Sequence, residues 1–204
     1  MMGYQKVNLL DLLSETEHAE DLQRILSDFS SPLNKDVEDF LHTKAIEFTR
    51  QGLSSTYLVF TSYQERTVLI GYFALAYKYF HIDLRHTSKT WGKRIRRFAH
   101  YDEGMKRYLV PAILIGQLGK NYTNRHDTLI RGEELLRLAC DTAREAHRIA
   151  GGRLVYLECE DVPSLIRFYE ENGFTSCGLR ELDGDERDMF SGKYLIQMIK
   201  YIRS

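Results

Sequence analysis

The stretch "LVYLECEDVPSLIRFYEENGF", residues 154–174, decides the fold. It opens with seven residues rich in apolar and aromatic side chains, long enough for a buried strand and too short for a helix. Pro163 follows, and a proline in the first turn of a helix gives up an N–H that would be unpaired anyway. "PSLIRFYEEN" therefore reads as a short helix and "GFTSCGLREL" as the strand after it. Upstream, "YLVPAILIGQLGK" reads as a buried central strand leading through a polar loop into a helix over about 130–150. Leu135, Leu138, Ala139, Thr142, Ala143, Ala146 and Ile149 recur as its buried stripe, and Gly151-Gly152 stop it. Strand, helix and strand in that order make a crossover unit.

Farther out, "STYLVFTS" and "TVLIGYFALAYKYF" flank the polar "YQER" as an antiparallel hairpin, and "KYLIQMIKYI" closes the chain as a strand. "YQKVNLLDL" reads as a first strand and "EHAEDLQRILSDF" as a helix. "NKDVEDFLHTKAIEFTRQG" reads as a longer helix, with Val37, Phe40, Leu41, Ala45 and Phe48 on one face, Asn34 as N-cap and Gly52 at its end. Residues 81–108 are basic and polar, either a long loop or one carrying a short helix around "KRIRRFAH". No linker, repeat or low-complexity tract interrupts this order, so residues 1–204 read as one mixed α/β domain.

A net charge of −1, with 43% hydrophobic and 28% charged residues, gives no global reason to bind nucleic acid or an anionic membrane. Such a partner needs a local patch. No run is long and apolar enough to span a bilayer and no leader pattern opens the chain, so a cytoplasmic protein without a membrane partner is expected. Cys140, Cys159 and Cys177 lack metal or redox spacing, and no pair of histidines has ligand spacing on a shared face, so no metal is expected. Cys159 reads as core. Neither G-x-x-x-x-G-K-[ST] nor G-x-G-x-x-G occurs, which argues against a nucleotide hydrolase or a dehydrogenase.

Three stretches resemble the GNAT family of N-acetyltransferases, which move an acetyl group from acetyl-CoA to an amine. Residues 154–174 are similar to its strand–helix–strand element ending in F-Y-E-x-x-G-F; "VPAILIGQLGKN" with "RGEELL" is similar to its acetyl-CoA segment; "GLSSTYLVF" with "LIGYFALA" is similar to its central hairpin. The resemblance implies a mixed, mostly antiparallel sheet with a splayed central strand pair and flanking helices. It also implies that Gln117, Leu118, Gly119 and Lys120 meet the pantetheine arm, mainly through backbone, and that the helix after them turns its N-terminal amides to the pyrophosphate.

The family's pyrophosphate loop reads Q/R-x-x-G-x-G/A. Aligned on "GEELL", Gly132 takes the last small position, Ile130 stands where glycine is usual and Asp127 where Gln or Arg is usual. Lys120, Arg125, His126 and Arg131 would supply compensating donors, with Asn121, Asn124 and Thr128 as neutral ones. The bland alternative is that Asp127 caps the helix through the amide of Ile130.

By the same resemblance, a backbone amide at Leu118 or its neighbour serves the oxyanion, and Tyr169 protonates the departing thiolate. A phenol suits that task, since its unperturbed pKa of about 10 keeps it protonated at neutral pH. Packing is the competing role for Tyr169. Val162, beside Asp161, stands where many members have a CoA-contacting asparagine, and Glu158 and Glu160 are the candidate bases. The acceptor is an unidentified primary amine. "KTWGKRIRRFAHYDEGMKRY" is either a solvated basic face or a wall for a polyanion, and "DVEDFLHTKAIEFTRQGLSSTYLVF" resembles the GNAT toxins that acetylate aminoacyl-tRNA and are encoded beside an antitoxin. A GNAT-like CoA-binding module without turnover is the alternative from another class. Homodimers are frequent in the family.

Overall fold

Local chemistry explains most of the element boundaries in the computed structural model, which describes residues 3–15, 19–182 and 193–202. Strand β1 (Gln5–Asn8) is shorter than its apolar stretch suggests. The Asn8 side chain accepts the Leu10 N–H at 2.9 Å and starts helix α1 (Leu9–Glu15), so the expected strand is half helix. Helix α2 (Ala19–Ser27) follows. Asn34 then caps α3 (Lys35–Asp39) by accepting the Val37 N–H, and a π-helical turn, Phe40–Lys44, joins α3 to α4 (Ala45–Arg50). Strands β2 (Ser55–Tyr63) and β3 (Arg66–Ile82) form the hairpin. Its turn residues, Gln64 and Glu65, both have positive φ, the geometry that matches strand twist, although neither is Gly or Asn.

The basic segment contains helix α5 (Lys89–Ile95), capped by Ser88, and strand β4 (His100–Asp102). The cap places the helix earlier than the charge run suggests. Strand β5 (Arg107–Lys120), helix α6 (Gly132–Ala150), strand β6 (Leu154–Glu160), helix α7 (Pro163–Glu171) and strands β7 (Thr175–Glu181) and β8 (Tyr194–Tyr201) complete the order. The α6 stripe is buried through Ala143, but Ile149 is 89% exposed, because the last turn of the helix runs past its support. The strands form one open sheet, β1-β2-β3-β5-β6-β8-β7, with β4 paired to β5. No helix among the described residues is long and apolar enough to cross a membrane.

The chain divides into two compact units: Met1–Ala76 with Ile115–Thr142, and Tyr77–Leu114 with Ala143–Ser204. The first packs Leu9, Leu26, Phe29, Leu41 and Leu58 around Tyr72, with the Phe29 ring edge-on to Tyr72 at 5.0 Å. The second packs Phe80, Ile82, Ile95, Val110 and Leu154 around Tyr156, with the Phe80 and Tyr156 rings stacked at 4.1 Å.

One polar residue ties the first unit together. Asn121 is fully buried, and its amide nitrogen donates to the carbonyls of Asp28 and Leu69, each at 3.0 Å. Its side-chain oxygen accepts the N–H groups of Ser30 and Thr123. Replacing it with alanine takes the side-chain partner from four backbone groups, one in a buried contact and three in partly buried ones. Asn121→Ala is expected to lower unfolding free energy by about 2–4 kcal/mol in urea titration; a loss below about 0.5 kcal/mol would contradict the anchoring role.

Candidate active site

Strand β5 is where the sheet opens. Its pairing with β6 consists of Ile113↔Val155 and Leu114↔Tyr156. Beyond Leu114 the strand belongs to the first unit, and within that unit no strand among the described residues pairs with this edge of Gly116–Lys120. Burial changes at the same point: Ile113 and Ile115 are buried, Gly116 is exposed, and Gln117–Lys120 are half-buried. The other edge of this segment lies against β3. The Asn121 N–H donates to the Ile70 carbonyl at 2.9 Å, and a Cβ on Gly71 would stand 2.8 Å from the Gly119 carbonyl oxygen. The first unit therefore presents Gly116–Lys120 with one edge held and one edge without a strand partner among the described residues, in a chain whose amides must bond to something.

The side chains here face the N-terminal helices. Gln117 Nε2 donates to Asp36 Oδ2 at 2.9 Å, and the Tyr72 hydroxyl donates to the Val37 carbonyl. A Cβ at Gly119 would collide with Val37 Cγ1 and press on the Phe29 ring. That glycine is thus fixed by packing against α3, whatever ligand approaches its backbone. Leu118 between them is half-buried.

After β5 the loop coils into a 3₁₀ stretch, Thr123–Leu129, in which Asn124 and Arg125 both take left-handed φ. Asn121 has no side-chain donor left, so the neutral donor expected there is a structural anchor instead. Thr128 Oγ1 donates to the Arg125 carbonyl. Lys120 Nζ donates to the Asp127 carbonyl at 3.0 Å and stands over the Tyr122 ring. Arg131 contacts Glu133 and Glu134, each at 3.2 Å. Arg125 is exposed and has no carboxylate partner among the described residues. Ile130 is 2% exposed, an apolar plug under the loop.

Glu134, and not Asp127, caps α6. Its carboxylate accepts the Arg131 N–H at 3.0 Å and the Tyr4 hydroxyl at 3.2 Å. The Arg131 amide, with the guanidinium and the phenol behind it, holds the Glu134 carboxyl below its ordinary range. Gly132 and Glu133 are the first helical positions, whose N–H groups the helix itself leaves unpaired. Glu134 makes only the acid half of a capping box, because Arg131 has no side-chain oxygen to return a bond, and neither that cap nor the reach from Tyr4 follows from a sequence signature.

In the second unit, α7 carries Tyr169, packed edge-on to Phe168 at 5.1 Å and to Phe174 at 5.8 Å. Its hydroxyl has no hydrogen-bond partner among the described residues. Burial, reinforced by Cys159, pushes the phenol well above its ordinary pKa, so it stays protonated. Cys159 is buried and its thiol is pushed up to about 11 by burial, with Asp161 and Glu160 adding to the rise, as befits a core residue.

The same unit holds a polar cluster that no local spacing announces. Glu158 contacts Lys78 Nζ at 3.3 Å and Arg180 Nε at 2.9 Å and accepts the Tyr156 hydroxyl, which in turn accepts Gln197 Nε2 at 2.7 Å. Burial, then Glu158, drives the Tyr156 phenol far upward. Glu158 is thus a clamped carboxylate, while Glu160 is half-buried at the strand end. The cluster borders a cavity of about 460 Å³.

No family model matches the sequence, and no curated protein matches it. Solved structures do. AtaT complexed with acetyl-methionyl-tRNAfMet is 19% identical at a TM-score of 0.60, over 95% of this chain and 94% of that one. A tyrosine-to-phenylalanine mutant of KacT is 15% identical at 0.60, over 95% and 93%. A tyrosine-to-phenylalanine mutant of the toxin AtaT, bound to the C-terminus of the antitoxin AtaR and acetyl-CoA, is 15% identical at 0.53, over 95% and 92%. With its mixed, mostly antiparallel sheet and these neighbours, the chain has the GNAT fold.

Proposed function

We propose that the chain transfers an acetyl group from acetyl-CoA to a primary amine by direct attack in a ternary complex. The observation that carries this reading is the unpartnered edge of Gly116–Lys120. The pantetheine arm contains two amides, so it can lie along that edge as a strand would, taking over hydrogen bonds otherwise left to water. The Gly132 and Glu133 amides then face the pyrophosphate, with exposed Arg125 as the cation free to approach it. Arg131 offsets the Glu134 carboxylate at the same helix end.

The amine attacks the thioester carbonyl and the C–N bond forms. The oxyanion accepts a hydrogen bond from the backbone N–H of Leu118 or its neighbour, a donor already fixed in place by the strand. Collapse breaks the C–S bond; nitrogen loses one proton and sulfur gains one. Tyr169 is a weak acid here, because the burial that keeps it protonated also holds the proton tightly. Its effect is greatest as a donor to sulfur while negative charge develops there. Glu158 is clamped between cations, so the amine's proton is assigned to water. Two neighbours studied as tyrosine-to-phenylalanine mutants support attention to a phenol.

A narrower reading takes the acceptor to be the amine of an aminoacyl-tRNA, in a toxin held by an antitoxin, and two observations favour it. One is the AtaT neighbour complexed with acetyl-methionyl-tRNAfMet. The other is residues 85–107, which hold Arg85, Lys89, Lys93, Arg94, Arg96, Arg97, Lys106 and Arg107 against Asp102 and Glu103. Among the described residues only Arg85 of these cations has a carboxylate partner, Asp83. Arg94 lies over Trp91 and Tyr201, and Arg96 over Tyr108, contacts that hold guanidinium groups in place without neutralising them.

Two outcomes are expected. Tyr169→Phe loses turnover by about 10²–10⁴-fold in a thiol-release assay while acetyl-CoA still raises the melting temperature; full turnover would remove the phenol from the mechanism. Replacing Lys93 and Arg97 with alanine raises KM for aminoacyl-tRNA by roughly tenfold and flattens its salt dependence by about 0.9 per lost phosphate contact. An unchanged KM and slope would reduce the basic strip to a solvated face.

A further inference from the structure

A primary amine in neutral water is largely an ammonium ion, and its nitrogen must give up a proton before it can attack. The acetyl-transfer steps above begin with the free amine and assign no group to that first proton. Glu158 is unsuited to it, because Lys78 at 3.3 Å and Arg180 at 2.9 Å already bracket its carboxylate. The first unit holds a carboxylate in the opposite state. Asp36, in the first turn of α3, accepts Gln117 Nε2 through Oδ2 at 2.9 Å and has no cationic partner among the described residues. It is half-buried, open enough to be reached and sheltered enough for an ion pair to count.

Two strands hold this carboxylate in place. Gln117 and Gly119 lie two residues apart on one face of β5, and both meet the first turn of α3, Gln117 at Asp36 and Gly119 at Val37. The backbone N–H given to the oxyanion, that of Leu118 or its neighbour, belongs to the same stretch. From β3 the Tyr72 hydroxyl donates to the Val37 carbonyl and fixes the turn from a second side. Burial, and then Asp36 itself, raises the Tyr72 phenol well above its ordinary pKa, so it stays a donor and takes no proton. The other charges of α3 are engaged elsewhere: Glu38 accepts the Ser31 N–H at 2.6 Å, and Asp39 pairs with Lys35 at 3.1 Å. Lys120, the cation of this β5 segment, turns to the Asp127 carbonyl. Asp36 is thus the acid of this turn still open to a cation.

We propose that Asp36 receives the acceptor as its ammonium ion and takes one proton from it, delivering the free amine to the thioester carbonyl. The proposal rests on the acetyl-transfer reading of Gly116–Lys120 given above. The ammonium nitrogen loses one proton to a carboxylate oxygen of Asp36, which becomes a carboxylic acid, and the freed lone pair forms the C–N bond. When the C–S bond breaks, nitrogen loses its second proton to water and sulfur gains one, as in the steps already described. Asp36 then returns its proton to solvent. An ammonium ion and a thioester enter; an amide, a thiol and one proton leave. Gln117 is the positioning residue, because its amide holds Oδ2 and leaves Oδ1 for the incoming cation.

The test measures thiol release by the full-length protein with saturating acetyl-CoA and two probe amines, methionine amide and methionyl-tRNA, over a pH range spanning the ordinary α-amino pKa. Asp36→Asn keeps the side chain's shape and an oxygen for the Gln117 amide. Its kcat/KM should fall by about 10²-fold at the acid end of the range. The wild type uses the ammonium ion, so its kcat/KM is nearly flat below the pKa of the amine. The variant must draw free amine from solution, so its log kcat/KM climbs by about one per pH unit and the gap closes as pH rises. Asp36→Glu should keep the flat profile at a reduced rate. Acetyl-CoA should raise the melting temperature of all three proteins alike, which shows that the variants fold and load. An unchanged rate in Asp36→Asn, or a loss equal at every pH, overturns the proposal and leaves acetyl transfer standing. A wild type that releases no thiol with either amine and is not stabilised by acetyl-CoA overturns acetyl transfer, and the role of Asp36 with it.

Discussion

Backbone amides that lose their partners must be met by water or by something that replaces it, and β5 meets this constraint in the middle of a sheet. Two residue pairs join β5 to β6, after which Gly116 is exposed although the strand has buried residues just before it. An inner strand with a hydrated edge is costly unless that edge is used. In the function proposed here the pantetheine arm uses it, because the amides of that arm repeat the donors and acceptors of a strand, and the loop after β5 delivers the chain to the start of a long helix.

Much of the remaining architecture keeps this segment fixed. Asn121 closes the end of the strand by bonding four backbone groups, and Ile130 fills the space under the loop. Gly119 and Gly71 allow close approach on the α3 and β3 sides. The cationic cradle expected from the sequence is more restrained than its residue count implied. Lys120 is engaged with the backbone carbonyl of Asp127, and Arg131 with the carboxylates of Glu133 and Glu134, so only the Arg131 charge is spent balancing local acids. The Glu134 carboxylate at the helix start is what caps α6, and Arg131 offsets its charge at 3.2 Å.

The fold was readable where a single element declares itself. Pro163 marked α7, Gly151-Gly152 ended α6, and Asn34 capped α3, because each effect depends on residues a few positions apart. Readings failed where a boundary depended on a cap outside the hydrophobic pattern: Asn8 cut β1 short, and Ser88 moved α5 ahead of the charge run. Ile149 fitted the helical stripe but lies beyond the packing surface. The site divides the same way. The β5 segment and Tyr169 were visible as motifs, whereas the Gln117–Asp36 contact, the reach of Tyr4 to Glu134, and the Lys78–Glu158–Arg180 cluster join residues distant in sequence. Asn121 looked like a ligand donor for the same reason: nothing nearby in the chain revealed the three backbone segments it holds.

Residue-resolved hydrogen exchange on the amides of Gly116 through Lys120 tests the central claim most directly. With saturating acetyl-CoA, some of these amides should become protected by at least about tenfold, while adenine nucleotides lacking the pantetheine arm leave them unchanged. Amides already fully protected in the free protein, or exchange that acetyl-CoA does not alter, would mean that the edge of β5 is not where the thioester-bearing arm binds.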